Sequence, residues 1–250
     1  MNENSKPLVS VVTVVYNDCQ HIEETIKSVL GQTYHSIEYI VIDGASKDGT
    51  VEIIKKYEPR LSCFISENDS GVYYAMNKSI PHIHGEWVIF MNSGDTFNNC
   101  EVLERIFKVY EDKGEVIICG DTMKVDGSEL HLSKATWEGK QKYMPSQHQS
   151  ILIRANKYKE HPYDTRYRII ADYALFYDLM KPDPKKYYYF EGVIANYDVT
   201  GLSARKRMEL NREHAILFAR KQDPRFFWQA ALYIKHKLFG YRQKPKYLEK

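Results

Sequence analysis

A lone carboxylate, Asp95, closes the stretch Phe90-Met91-Asn92-Ser93-Gly94-Asp95-Thr96, directly after the apolar run Trp87-Val88-Ile89-Phe90. An acid at the exit of a buried strand suits a hard divalent cation that carries phosphates. Mg²⁺ uses one or two protein carboxylates and takes its other ligands from phosphate and water. That chemistry points to phosphorylated substrates. With only one acid in the motif, metal binding is expected to need the phosphates of a bound substrate. Asp43 ends a second apolar run, Ile37–Ile42. An acid there commonly accepts hydrogen bonds from a ribose or a base edge. The competing reading is a helix cap, but Asp48 stands closer to the next helix start at Thr50.

Four further positions carry chemistry. Asp172, in Ile170-Ala171-Asp172-Tyr173-Ala174, is an acid among apolar residues at a helix start. It reads either as a partner of the helix dipole or as a general base in a partly apolar pocket. His148, in Pro145-Ser146-Gln147-His148-Gln149-Ser150, lies among amides rather than on an apolar face. It reads as a ligand or acceptor contact, or as a structural histidine. Tyr16 ends the first apolar run and would stack on a flat base or pack at the rim. Asp69-Ser70-Gly71 precedes a helix whose free N–H groups suit phosphate. No G-x-G-x-x-G follows the first strand, which disfavours a Rossmann dinucleotide site, and no G-x-x-x-x-G-K-[ST] occurs, so a P-loop is absent.

The elements that must hold these residues alternate. Leu8–Tyr16 is nearly continuous and β-branched, as a strand buried on both faces requires. Asn17 and Asp18 follow as turn and cap residues. Ile22, Ile26, Val29 and Leu30 recur at helical spacing up to Gly31. The order continues as strand 37–42, helix 51–57, strand 61–66, helix 72–80, strand 87–91, helix 101–110 and strand 116–119. Short connections between strands and helices predict a doubly wound parallel sheet with right-handed crossovers. Every polar loop above follows a strand, so all of them gather at one sheet edge. The pattern then changes to a hairpin at Asp126-Gly127, a strand over 149–154, a helix over 171–180 and a long aromatic strand over 187–197. The second half is therefore mixed.

Composition bounds the remaining classes. The 250 residues are 43% hydrophobic and 27% charged, with a net charge of +2. The charge is unevenly placed: residues 203–250 hold 13 Lys/Arg against 4 Asp/Glu, and the rest of the chain is acidic. Two helices are expected over 208–221 and 225–239. Their apolar and basic residues read either as an interfacial amphipathic helix or as a surface for the body or a second subunit. The four cysteines show no C-x-x-C spacing, so neither zinc nor a disulfide framework is expected. No apolar leader precedes Leu8 and no run approaches a membrane span, so a cytoplasmic protein is expected. Nucleic acid is not an expected partner.

Five segments in order resemble the family 2 glycosyltransferases, inverting enzymes of the GT-A fold, and look closest to those building bacterial surface polysaccharides. They are Val11–Asn17, Val41–Thr50, Asp69–Lys78, Phe90–Asp95 and Ala171–Tyr173. The resemblance implies an α/β GT-A fold, with a catalytic domain over 1–203 and a basic helical extension over 204–250. The nucleotide-binding half would be 8–120 and the acceptor half 121–203. It implies transfer from a UDP-sugar to a hydroxyl of a saccharide or lipid-linked saccharide, assisted by Mg²⁺ or Mn²⁺. The alternative is an inactive nucleotide-sugar binding module. By this resemblance Val14, Tyr16, Asp43, Asp69, Gly71, Asn77 and Asn92 would bind nucleotide, and Asp95 would hold the metal. Asp172 would be the base. His148 and Gln149 would lie near acceptor or metal, and Gly201 and Ser203 would begin a mobile loop. Asn92 and Gly94 stand where the family often carries a further Asp. The resemblance also leaves room for attachment to the inner membrane face or for a homodimer.

Overall fold

The computed structural model describes residues 6–136, 144–180, 186–199 and 206–239. The chain falls into two compact units, Met1–Val199 and Thr200–Lys250. In the first unit the strands are β1 (Val9–Val15), β2 (Ile37–Asp43), β3 (Cys63–Ser66), β4 (Trp87–Phe90), β5 (Thr96–Phe97), β6 (Ile117–Asp126), β7 (Glu129–Ser133), β8 (Ile151–Arg154) and β9 (Tyr187–Asp198). The helices are α1 (Ile22–Leu30), α2 (Thr50–Lys55), α3 (Val72–Lys78), α4 (Val102–Val109), α5 (Ala155–Glu160) and α6 (Ala171–Met180). The second unit contributes α7 (Arg207–Arg220) and α8 (Arg225–Phe239).

One mixed sheet runs in the order β3-β2-β1-β4-β8-β6-β9-β5, with β7 paired to β6. β1 is buried at every position, as its unbroken β-branched sequence requires. Strands β1 to β4 are mutually parallel, in a register that sets Val15 opposite Asp43 and Asp43 opposite Ser66. The core packs Ile22, Ile26 and Val29 of α1, Ile54 of α2 and Leu103 and Ile106 of α4 against this sheet.

β8 is the reversal that matters. It runs antiparallel to β4, with Trp87 opposite Arg154, and antiparallel to β6. A residue that precedes β8 therefore arrives at the same sheet edge as residues that follow the parallel strands. β6 and β9 then run parallel to each other, and β9 ends at that edge with Asp198.

Three expectations change. The strand expected from Gln149 starts only at Ile151, because His148–Ser150 form a 3₁₀ turn from which His148 and Gln149 enter the site. The separate strand 116–119 and the first hairpin strand are one ten-residue strand that runs through Gly120. Asp18 does not cap α1 through its side chain: its backbone carbonyl takes the amides of His21 and Ile22, and its carboxylate turns to Ser93. The short β5 and α5 add to the expected order. Helix α6 is buried at Ala171, Tyr173, Ala174, Leu175, Phe176, Tyr177 and Met180, almost all round, which explains why apolar spacing could not orient Asp172.

Candidate active site

At the β1 and β2 ends the chain builds a cleft around Gly44. A Cβ on Gly44 would lie 2.8 Å from Asp69 Oδ2 and 3.1 Å from Tyr16 Cδ2, so only glycine leaves this space open. Tyr16 is 67% exposed and presents its ring there. Asp43 is fully buried below. Its carboxylate accepts from the Ser46 amide (3.0 Å), the Ser46 hydroxyl (2.5 Å) and the Ser66 hydroxyl (2.6 Å). A carboxylate offers about four acceptor sites, so one remains. Asp69 Oδ1 accepts from the Gly71 amide at 2.7 Å, which leaves Oδ2 facing Gly44. Asp48 holds the first turn of α2, accepting from the Thr50 amide and hydroxyl at 3.1 and 2.6 Å.

The β4 exit is anchored from both sides. The Ser93 amide donates to the Val14 carbonyl (3.1 Å), so Val14 contributes backbone, and the Ser93 hydroxyl donates to Asp18 Oδ2 (2.6 Å). Thr25 of α1 accepts from the Gly94 amide (3.1 Å) and donates to the Asp95 carbonyl (2.8 Å). This grip fixes the backbone and aims the Asp95 side chain inward, where it is only 5% exposed. Gln149 Nε2 donates to Asp95 Oδ2 at 2.7 Å, and the Asp198 amide donates to Oδ1 at 3.3 Å. Burial pushes the Asp95 carboxyl up to about 7; the Asp198 charge adds to that, while the Gln149 hydrogen bond opposes it.

Beside Asp95, His148 links two elements. Its Nε2 lies 3.0 Å from the Asn92 amide nitrogen and its Nδ1 3.3 Å from Asp172 Oδ2. With the amide donating, Nε2 accepts and the ring hydrogen sits on Nδ1, toward Asp172. Asp172 Oδ1 in turn accepts from Tyr73 Oη at 3.0 Å and from the Tyr173 amide at 2.8 Å. Burial and the adjacent Asp172 hold the Tyr73 hydroxyl well above its ordinary pKa, so it remains a donor. One imidazole thus spans from the base candidate to the metal motif.

Among the described residues no three His, Cys, Asp or Glu side chains form a ready metal cluster. The oxygens around Asp95 nevertheless fit a hard cation. Gln149 Oε1 and Asn92 Oδ1 are buried without a partner among the described residues, and an unsatisfied buried acceptor is costly. A carboxylate and two unpartnered amide oxygens, on residues that hydrogen-bond Asp95 or His148, are the donor types that Mg²⁺ or Mn²⁺ takes when phosphate completes its shell.

The structure gathers Tyr16, Asp43, Asp69 and Gly71 at the cleft, and Asn92, Asp95, His148, Gln149 and Asp172 in the linked cluster. Asn77 stands with neither. Its amide donates to the Tyr163 carbonyl (2.8 Å), and its oxygen accepts from Tyr158 Oη and the Tyr163 amide (both 3.0 Å). Gly201 and Ser203 lie outside the described residues. Sequence reasoning missed Gly44 as a floor, Tyr73 and Asp198. Asp198 carried a usable signal, since it ends a strand just as Asp43 does.

The profile of Glycosyl transferase family 2 matches residues 10–179. A putative teichuronic acid biosynthesis glycosyltransferase of Bacillus subtilis is 41% identical over 95 residues, which is 37% of this chain and 38% of that protein. An uncharacterized glycosyltransferase of Mycobacterium tuberculosis is 40% identical over 113 residues, 45% of this chain and 43% of that protein. The chain thus spans less than half the length of these curated relatives. S. aureus TarS in complex with UDP superposes with a TM-score of 0.63 at 19% identity, covering 93% of this chain and 72% of that one. Mannosyltransferase PcManGT from Pyrobaculum calidifontis, in complex with GDP-Man and Mn²⁺, gives 0.67 at 16% identity, covering 93% and 71%. The likeness to these structures is one of fold, the GT-A fold.

Proposed function

The chain belongs to glycosyl transferase family 2, and from that premise we propose an inverting transfer of sugar from a UDP-sugar to a hydroxyl of a saccharide or lipid-linked saccharide. The observation that carries this reading is the His148 link between Asp172 and Asn92, at 3.3 and 3.0 Å. It ties the acid read as the base to the β4-exit motif through one imidazole, which supports the two acting on a single bound substrate.

In this proposal the nucleobase lies on Tyr16 over Gly44, within reach of Asp43 and Asp69. The diphosphate lies at the β4 exit. Asp95, with the oxygens of Asn92 and Gln149 and with Asp198 nearby, would hold Mg²⁺ or Mn²⁺. When bound, the ion supplies Lewis-acid neutralisation of the leaving diphosphate. Asp172 takes the proton of the acceptor hydroxyl as that oxygen bonds to the anomeric carbon. The opposite bond to the diphosphate breaks, UDP leaves with the electron pair, and the anomeric configuration inverts. Tyr73 and His148 hold the two Asp172 oxygens so that the carboxylate faces the acceptor without rotating.

UDP release measured across UDP-glucose, UDP-galactose and their N-acetyl forms tests the reading. Release that depends on acceptor and falls roughly 10²–10⁴-fold in Asp172→Asn supports it. UDP binding without release from any donor would instead indicate an inactive binding module.

A further inference from the structure

The second unit carries a surface that sugar transfer does not use. Helix α8 joins α7 by one side only. His236 Nδ1 lies 2.7 Å from the Asn211 amide nitrogen, Gln229 is buried, and the Arg225 guanidinium covers the Phe218 ring at 4.4 Å. On the opposite side Phe227, Ala231, Ile234 and Leu238 follow one another at i, i+4, i+7 and i+11, and all four are exposed. Phe227 is 77% and Leu238 69% exposed, and Trp228 adjoins them at 55%. A run of such residues at helical spacing forms one stripe along the helix. A contiguous exposed apolar stripe on a helix marks an interaction site rather than ordinary surface.

Charge decides what covers it. At about 100° per residue, Lys235 and Lys237 fall about 80° to either side of the stripe, and both are exposed. α8 contains no acidic residue, and from Arg225 to Lys250 seven Lys/Arg face a single acid, Glu249. A second copy docked stripe to stripe would bring lysines against lysines with no acid on the helix to pair them. An anionic bilayer pairs them all: the apolar stripe enters the acyl boundary, Trp228 sits at headgroup level, and the flanking lysines extend outward to lipid phosphates. No helix among the described residues is long and apolar enough to cross a membrane, so the contact lies in the plane of the surface.

We propose that the Phe227–Ala231–Ile234–Leu238 stripe of α8, flanked by Lys235 and Lys237, docks the protein onto an anionic lipid surface. The test is co-sedimentation of the full chain with vesicles of phosphatidylglycerol and phosphatidylcholine, against phosphatidylcholine alone. Wild type should partition to the anionic vesicles only. Lys235→Gln with Lys237→Gln should weaken that partition roughly thirtyfold, at about one kcal/mol per lysine. Phe227→Ser with Leu238→Ser should abolish it while the circular dichroism spectrum and melting temperature stay as in wild type. Equal partition of wild type and both variants, or no partition of wild type, overturns the proposal. So does a dimer seen by light scattering that the Phe227→Ser, Leu238→Ser variant loses without any vesicle binding, because the stripe would then belong to a second copy.

Discussion

The Nδ1 of His148 stands 3.3 Å from Asp172 Oδ2, joining the turn before β8 to the first turn of α6. Without the imidazole, Asp172 keeps Tyr73 on one oxygen and loses its constraint on the other. A hydrogen bond to a charged group contributes about 1.5–3 kcal/mol. His148→Ala should therefore lower turnover roughly 10–150-fold, less than Asp172→Asn, while UDP affinity changes little. Steady-state rates paired with UDP calorimetry check this. A large loss of UDP affinity with unchanged turnover would place His148 on the donor instead.

Asp95 gives a pH dependence with a definite sign. Its folded pKa is raised from 3.8 to about 7 by burial. The neutral form is thus favoured in the fold: the stability it contributes is complete below about pH 4 and is lost as pH rises through 7. The cost at pH 8 is on the order of 4 kcal/mol at most. Asp95→Asn removes that cost, because the new amide donates to Gln149 once the Gln149 amide turns its unpartnered oxygen inward. The metal-free variant should melt above wild type at pH 8, with the gap closing toward pH 4. A wild type equally stable at pH 4.5 and 8 would contradict the raised value.

In the proposed site the same group would set metal affinity. A cation must displace the Asp95 proton, so Mn²⁺-dependent UDP binding should strengthen as pH rises from 6 to 8 and vanish in Asp95→Asn. Calorimetry with and without UDP measures both effects. Affinity that is flat over this range would separate the carboxylate from the metal.

Gly44 offers a steric test of the cleft. A methyl at this position meets Asp69 Oδ2 at 2.8 Å and Tyr16 at 3.1 Å. Overpacking of this kind costs roughly 1–3 kcal/mol. Gly44→Ala should lower stability by that amount and, by pushing the Tyr16 ring aside, weaken UDP binding; Tyr16→Ala should weaken it by about 5–150-fold, since base–aromatic stacking contributes about 1–3 kcal/mol. Full UDP affinity in both variants would move the nucleotide elsewhere.

Asn77 should behave in the opposite way. Its three bonds to Tyr158 and Tyr163 tie α3 to α5 and to the segment after it. Asn77→Ala should lower stability by about 1–3 kcal/mol through the buried groups left unpaired, visible in denaturant melts, and leave UDP affinity near wild type.

The first half of the fold was legible because its strands are buried on both faces and its loops all follow strands. Tyr16, Asp43, Asp69 and Asp95 could be placed at one edge from order alone. Gln149 and His148 could not be placed by that rule, since they precede a strand; only the antiparallel sense of β8 brings them to the edge, and apolar runs carry no sign of direction. Asp172 was visible as an acid among apolar residues, but a helix buried all round gives no face from which to read its aim. Asn77 shows the limit of motif reasoning, because an amide between a nucleotide motif and the core serves either equally well until its partners are seen.

Among the described residues the donors to the Asp95 carboxylate, Gln149 Nε2 and the Asp198 backbone amide, lie 54 and 103 residues further along the chain. During synthesis the β4 exit is therefore complete long before anything can satisfy its carboxylate. A nascent chain that ends near Lys140 can pair β1 to β4 but leaves that acid open to water. Enclosure waits for β8 and β9, contacts of high sequence separation that close slowly. The enclosure of Asp95 is thus one of the last parts of the first unit to form.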